Sequence, residues 1–314
     1  MDLRQLNTFL QVAELGSLSR AADRLRIAQP ALSRQMRLLE AELKVPLFDR
    51  HGRGMALTPA GEKLRARAGS ILRQLEEARA DLAEEAGTVR GRVVFGMPTT
   101  LVDILGTRLV ERFLSLHPEV ELRAIPAFSG YLLDWLHAGE VDIAVLYGSE
   151  AQASTRLSPL LVENLCLVTP PGEAPAPDHA VPFTALGARR LILPGPQHGL
   201  RRLLERAARR QGMKLAVAVE ADALQMLKGL VGRGLGSTVL PLAAVHEEVR
   251  EGRLGAAPIA APTLSRQLAV ALPMGRPASR AVRRFEEVLR AEVAAMVRGG
   301  IWEGRLLMGD TIPA

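Results

Sequence analysis

Apolar residues near the start of the chain recur at helical spacing, and polar residues break the pattern at regular points. Leu3, Leu6, Phe9, Leu10 and Ala13 form the i, i+3, i+4, i+7 stripe of an amphipathic helix. Asp2 stands where an N-cap side chain accepts from the first free N–H groups, and Gly16 where the helix stops. Ser17 or Ser19 can cap a second, short helix with Ala21, Ala22 and Leu25 inward. A third helix is predicted from "QPALSRQMRLLEAEL", with Pro30 in the first turn, where a missing N–H costs nothing. Its inward stripe is Leu32, Met36, Leu39 and Leu43. "PLFDRHGRGMALTPAG" then places apolar flanks around a glycine-punctuated basic turn, which predicts a hairpin.

Thr58 as N-cap and Pro59 as the first helical residue begin a long helix predicted to run to Gly87. Its apolar positions, Leu64, Ala68, Ile71, Leu75, Ala78 and Leu82, alternate steps of four and three, the seam of a coiled coil. That seam either meets a second subunit or lies on the chain's own body. From Gly91 the pattern changes to short apolar strands: "RVVFGM", "VELRAIP", "VDIAVLY", "NLCLVTP", "RLILPG", "LAVAVEA", "GSTVLP" and "LSRQLAVALP". Helical stretches separate them, including Thr100–Leu116, Tyr131–Ala138 and Pro277 to about Arg298. Alternation of this kind predicts an α/β domain with parallel sheets covered on both faces. The last residues, "IWEGRLLMGDTIPA", carry no pattern and read as a loose tail.

Composition narrows this picture modestly. Among 314 residues the hydrophobic fraction is 48% and the charged fraction 24%, as in ordinary globular proteins. The net charge is +6, and only Lys44, Lys63, Lys214 and Lys228 are lysines, so arginine supplies nearly all the positive charge. The lone Cys166 excludes an intramolecular disulfide and lies in the apolar run "LCLV", where a small core side chain is expected. The longest stretch without a charged residue, "GLGSTVLPLAAVH", is shorter than a membrane span needs, and no apolar signal core opens the chain. A cytoplasmic protein with no membrane partner is expected.

Chemistry concentrates first on the third helix. Gln29, Ser33, Arg34 and Arg37 occupy the face opposite its apolar stripe. Gln pairs bidentately with adenine, Arg with guanine, and Ser with base or phosphate, so this is either a recognition helix or a solvated polar face. Two short helices with a tight turn between them favour the former. The hairpin carries Arg50 and Arg53 where a wing follows a phosphate backbone, and basic residues outnumber acidic ones from Ser17 to Arg53.

The stretch "FLQVAELGSLSRAADRLRIAQPALSRQMRLLEAELKVPLFDRHGRGMALTPAG" resembles the winged helix-turn-helix of LysR-type transcriptional regulators. The resemblance implies that Gln29, Pro30, Ser33 and Arg34 lie against DNA, with Arg53 on the wing. Ala28 departs from the pattern, since many members place a capping serine there. It also implies a homodimer through the linker helix, often assembled into a tetramer, and a C-terminal domain of two lobes like a periplasmic binding protein. The organisation expected is a winged helix-turn-helix domain at 1–58 (helix-turn-helix about 18–37, wing about 46–57), a linker helix at 59–87 and an effector-binding domain at 91–314. Within the last, lobe I takes about 91–162 and 266–300, and lobe II about 163–265.

Ligands of open α/β sheets sit beyond the carboxyl ends of strands, and four loops there are rich in small donors. They are Pro98-Thr99-Thr100, Phe128-Ser129-Gly130, Gly236-Ser237-Thr238, and the segment with His198 and Gly199 before Arg201 and Arg202. Taken singly, each reads more readily as a helix cap or an ordinary turn than as a ligand contact. The resemblance raises Thr99, Thr100, Phe128, Ser129 and Thr238 as effector contacts; His198 follows a subgroup containing nitrogen-assimilation and aromatic-catabolism regulators. Helix N-termini favour anions, so a small anionic effector is expected. The six histidines lack metal-ligand spacing, and no phosphate loop or nucleophile elbow is present. Neither an enzyme nor a cofactor or metal is expected. The reading is a DNA-binding regulator modulated by a small effector, with RNA polymerase open as a further partner; the alternatives are an architectural DNA-binding protein and an α/β enzyme.

Overall fold

The computed structural model describes residues 1–51, 54–82, 88–148, 154–174 and 179–307. Helices α1 (Leu3–Leu15), α2 (Leu18–Leu25) and α3 (Gln29–Leu43) close around Phe9, Val12, Ala21, Leu32, Met36 and Leu39. Asp2 caps α1 in a capping box with Gln5, and Gly16 ends it in the left-handed region, as the sequence predicts. Ser17, rather than Ser19, caps α2. Strands β1 (Phe48–His51) and β2 (Gly54–Leu57) form the hairpin, with Phe48 opposite Leu57 and its ring 5.3 Å from that of Phe9. The Met55 N–H donates to the Gly16 carbonyl at 2.9 Å, and a Cβ at Gly54 would stand 2.7 Å from that oxygen. Glycine is therefore what lets β2 lie against the end of α1.

Helix α4 (Pro59–Leu82) begins where Thr58 Oγ1 accepts from the Gly61 N–H at 3.0 Å. The expected end of this helix, residues 83–87, lies outside the described residues, as does Arg53 of the wing. The seam divides. Ala68 is buried in the N-terminal core and Leu64 packs on it, whereas Ile71 is 38% exposed. The first turns of α4 therefore belong to the DNA-binding domain itself.

The remaining strands join one mixed nine-stranded sheet and a separate pair. The expectation of parallel sheets holds only in part. Strand β3 (Gly91–Met97) pairs in parallel with β4 (Val120–Pro126) and with β5 (Ile143–Tyr147). The 15-residue β6 (Thr155–Thr169) and the returning β12 (Ser265–Pro273) run antiparallel, and β12 also pairs antiparallel with β5. Antiparallel pairing follows from the path: the chain leaves one lobe on β6 and comes back beside it on β12. The first half of β6, "TRLSPLLVE", was missed because its polar residues hide the strand pattern.

Helices α5 (Thr99–Leu101) and α6 (Thr107–Leu116) are joined by a wide π turn, Val102–Gly106, and α7 (Ser129–Ala138) follows β4. These, with α11 (Arg280–Arg298), cover lobe I around Phe95, Phe113, Leu132 and Phe285. Lobe II contains β7 (Val181–Pro182), β8 (Leu191–Leu193), α8 (Gly199–Arg210), β9 (Val217–Glu220), α9 (Leu224–Gly232), β10 (Thr238–Pro241), α10 (His246–Arg250) and β11 (Gly255–Ala260). Its core is built on Leu167, Phe183, Ile192, Leu204 and Val239, and the buried Cys166 packs there as expected. Ile104, on the π turn, packs against the cores of both lobes.

The C-terminal segment is the clearest correction. Trp302 is fully enclosed, and β13 (Gly304–Leu306) pairs with β6 through Gly304–Glu163 and Leu306–Leu161. Residues 301–307 are part of lobe I rather than a loose tail, and only 308–314 lie outside the described residues.

Linker helix and lobe I meet at Gly139, the left-handed C-cap of α7 (φ +73°), where an added Cβ would stand 2.4 Å from Ser70 Oγ of α4. Gly139→Ala is expected to destabilise this junction by about 1–2 kcal/mol through left-handed strain alone, with the clash in addition. Thermal unfolding checks it: an unchanged profile would mean the close approach is not required.

Candidate nucleic-acid interface and interlobe cleft

The recognition surface is built by α3. Gln29, Pro30, Arg34 and Arg37 are exposed and Ser33 is half-buried, while Leu32, Met36 and Leu39 hold the other face in the core. None of the ion pairs among the described residues involves Arg34 or Arg37, in contrast to Arg24, which pairs with Glu14 at 3.0 Å. Both residues are therefore exposed without an acidic partner among the described residues. Ala28 is the N-cap residue and makes no side-chain cap bond, as its methyl group requires. Arg50 stands on β1 opposite Met55. Sequence reasoning missed Glu40, whose Oε1 accepts from the Leu47 and Phe48 N–H groups at 2.8 and 3.2 Å. That carboxylate ties the wing to the recognition helix.

The second site lies between the lobes. Ser129 and Gly130 open α7 in lobe I; Gly199, Leu200, Arg202 and Arg206 open α8 in lobe II; Arg266 lies on β12. Together with Tyr147 they line a cavity of about 430 Å³. Arg202 and Arg206 are exposed and one helical turn apart. Ser129 Oγ accepts from the Tyr147 N–H at 3.1 Å, which leaves its O–H as a donor. Phe128 and His198 meet edge to face across the lobes, ring centroids 5.5 Å apart. Two of the four donor-rich loops thus come together. Thr99, Thr100 and Thr238 are not among the residues lining this cavity.

The expected capping by Thr99 or Thr100 is also corrected. Pro98 occupies the N-cap position of α5, and no side chain caps that helix. Thr99 is exposed and Thr100 is buried. Thr238 is fully buried and its hydroxyl oxygen has no hydrogen-bond partner among the described residues. His198 does cap: its Nδ1 accepts from the Leu200 N–H at 3.1 Å, the acceptor role of a neutral ring.

Behind the cavity Arg266 is almost enclosed. Its Nε donates to Glu163, its Nη2 donates to the Tyr147 hydroxyl at 2.8 Å, and its guanidinium lies 3.7 Å over the Tyr147 ring. Burial alone would lower the Arg266 pKa, but Glu163 and Tyr147 outweigh it and the group is held above its ordinary value. Burial pushes the Tyr147 hydroxyl upward, so it stays protonated.

A winged helix-turn-helix carried by a helix onto a two-lobed α/β domain with a cleft defines a DNA-binding transcriptional regulator with an effector-binding domain. The chain belongs to the LysR family: residues 3–62 match the model "bacterial regulatory helix-turn-helix protein, lysR family", and residues 86–294 match "LysR substrate binding domain". It is similar to the nitrogen assimilation regulatory protein nac of Klebsiella aerogenes, 32% identical over 94% of this chain and 96% of that protein. A probable hydrogen peroxide-inducible genes activator of Streptomyces viridosporus is 35% identical over 94% of each chain. Among solved structures, a full-length cysteine-to-aspartate variant of OxyR from Pseudomonas aeruginosa superposes with a TM-score of 0.74 at 27% identity, covering 93% of this chain and 94% of that one. Among the described residues no helix is long and apolar enough to cross a membrane.

His198 gives this site a pH signature. Burial first, and then the Arg266 guanidinium, hold its pKa down to about 4 from the ordinary 6.5. The unfolded chain takes up that proton first, so the stability due to neutral His198 is present above about 6.5 and lost as pH falls toward about 4. The urea midpoint should drop across that window in the wild type and drop less in His198→Asn, which retains a capping side chain without ionising. Superimposable pH profiles would assign the loss to other groups.

Proposed function

We propose that this chain regulates transcription in the cytoplasm under the control of a small anionic effector held between its lobes. One observation carries the effector reading. Arg202, Arg206 and Arg266 converge with the Ser129 hydroxyl on a single cavity, and no carboxylate is among its described lining residues. The planar guanidinium fork suits carboxylates and phosphates, and the cavity volume falls within the range of small-molecule sites. An effector that favours one lobe arrangement over another shifts DNA binding only by that difference in affinity. The half-exposed seam at Ile71 supports a dimer through α4, assembled further into a tetramer, with paired recognition helices on paired half-sites and RNA polymerase as the downstream partner. The division into lobes at about 162/163 and 265/266 places the hinge where β6 and β12 cross.

The relative named as a probable hydrogen peroxide-inducible genes activator raises a peroxide response as a second reading, for which a cysteine would be the natural sensor. The residues here disfavour it. Cys166 is the single cysteine, its S–H donates to the Leu240 carbonyl at 3.1 Å, and burial pushes its pKa up to about 12. A buried thiol without a second cysteine suits neither peroxide attack nor disulfide closure.

Two measurements test the proposal. In gel-shift titrations with DNA upstream of the chain's own gene, Arg34→Ala should weaken sequence-selective binding by roughly 5- to 150-fold, the worth of one bidentate base contact. Equal affinity of variant and wild type would remove Arg34 from the interface. In thermal shift with small dicarboxylates at constant ionic strength, at least one should stabilise the wild type and fail to stabilise Arg202→Gln/Arg206→Gln. Stabilisation that survives in the double variant would place the anion elsewhere.

A further inference from the structure

The side chain that presents positive charge to the cleft is held from behind by a chain of contacts ending in the C-terminal segment. Glu163 has 0% exposure and spends each carboxylate oxygen on a different partner. Oε1 takes the Arg266 Nε–H, and Oε2 accepts from Trp302 Nε1–H at 2.7 Å. Trp302 cannot move independently of its neighbours. It is 1% exposed, and the residues just after it add β13 to β6, with the Leu307 N–H donating to the Leu160 carbonyl at 3.0 Å. A Cβ at Gly304 would stand 2.6 Å from the Val162 carbonyl, so glycine permits the close pairing.

We infer that Trp302 is a positioning residue for the anion site. By holding one oxygen of Glu163, it limits that carboxylate to a single bond with Arg266. The remaining guanidinium hydrogens are then available to Tyr147 and to the cleft. Without the indole N–H, the freed oxygen turns to Arg266, the pair becomes bidentate, and the guanidinium is withdrawn from the cavity. The C-terminal segment thereby sets how much positive charge an effector meets. This rests on the reading of the cleft as an anion site.

The inference predicts effects of opposite sign from two neighbouring substitutions. In calorimetry with malonate as the probe, Trp302→Phe, which keeps the buried ring, should bind roughly tenfold more weakly. Glu163→Gln, which removes the competing charge, should bind malonate more tightly. A residue that merely braces the fold would weaken binding in both variants or in neither. Operator affinity in gel shift should stay within about twofold for both, because the recognition helix is untouched. Equal malonate affinity in Trp302→Phe and wild type would overturn the inference. A crystal structure of the full-length Trp302→Phe chain decides the matter without any ligand: Glu163 should be bidentate on Arg266, with the Tyr147 bond broken. An unmoved Arg266 would refute the positioning role, whereas failure of malonate to bind the wild type would count against the anion reading alone. Should Trp302→Phe not fold, the sign of the Glu163→Gln effect still decides, since weaker binding there contradicts the competition.

Discussion

The two-lobed domain hangs on a buried pair of opposite charges. Glu163 and Arg266 face each other in register on β6 and β12, the two strands by which the chain leaves lobe I and returns to it. Either charge alone in that position would cost several kcal/mol of lost hydration. Together they are tolerated because both Glu163 oxygens accept hydrogen bonds, from Arg266 and Trp302, and the guanidinium also donates to the Tyr147 hydroxyl. A buried ion pair adds little net stability compared with apolar residues of the same shape. Its contribution is geometric, since the two strands cannot slide past one another without separating the charges. The crossing between the lobes is thus fixed in register.

The N-terminal domain was the most legible part of the sequence, because its determinants are local. Asp2, Gly16, Ser17 and Thr58 cap or stop helices within three or four residues of themselves, and the apolar stripes name most of the core side chains, Leu3 being the exception at 42% exposure. The α/β class and most strand cores were equally visible. What was hidden depends on contacts between distant positions. Glu163 and Arg266 are separated by more than a hundred residues, and neither sits in a motif. The segment holding Trp302 looked unstructured because three residues of strand need a neighbouring strand to exist. Thr99 and Thr100 misled for the opposite reason: hydroxyls before a helical pattern suggest a cap, but Pro98 takes the cap position and the helix widens into a π turn. Of the residues expected at the cleft, Ser129 lines the cavity, while Phe128 and His198 meet each other across the lobes. Arg206 was not expected there, since its role depends on the rotation of α8.

The same contacts suggest which lobe moves. Lobe I is tied to the linker helix at Gly139, where α4 and α7 approach too closely for any larger residue. Asp142 then binds that end of the lobe to its interior, accepting from the Val94 N–H at 2.9 Å and pairing with Arg276 at 2.9 Å. No described glycine of lobe II meets the linker helix in this way. Lobe II is carried by β6 and β12 and touches lobe I through Ile104 on the π turn and the Phe128–His198 ring contact. Under the proposed function, an anion drawn between Ser129 and the arginines of α8 would act across this side of the molecule. In that proposal lobe I, the linker and the recognition helix form the frame, and lobe II is the part an effector would move. In an assembly of several subunits, a tilt of lobe II would be felt at the DNA only where lobe II of one subunit presses on another.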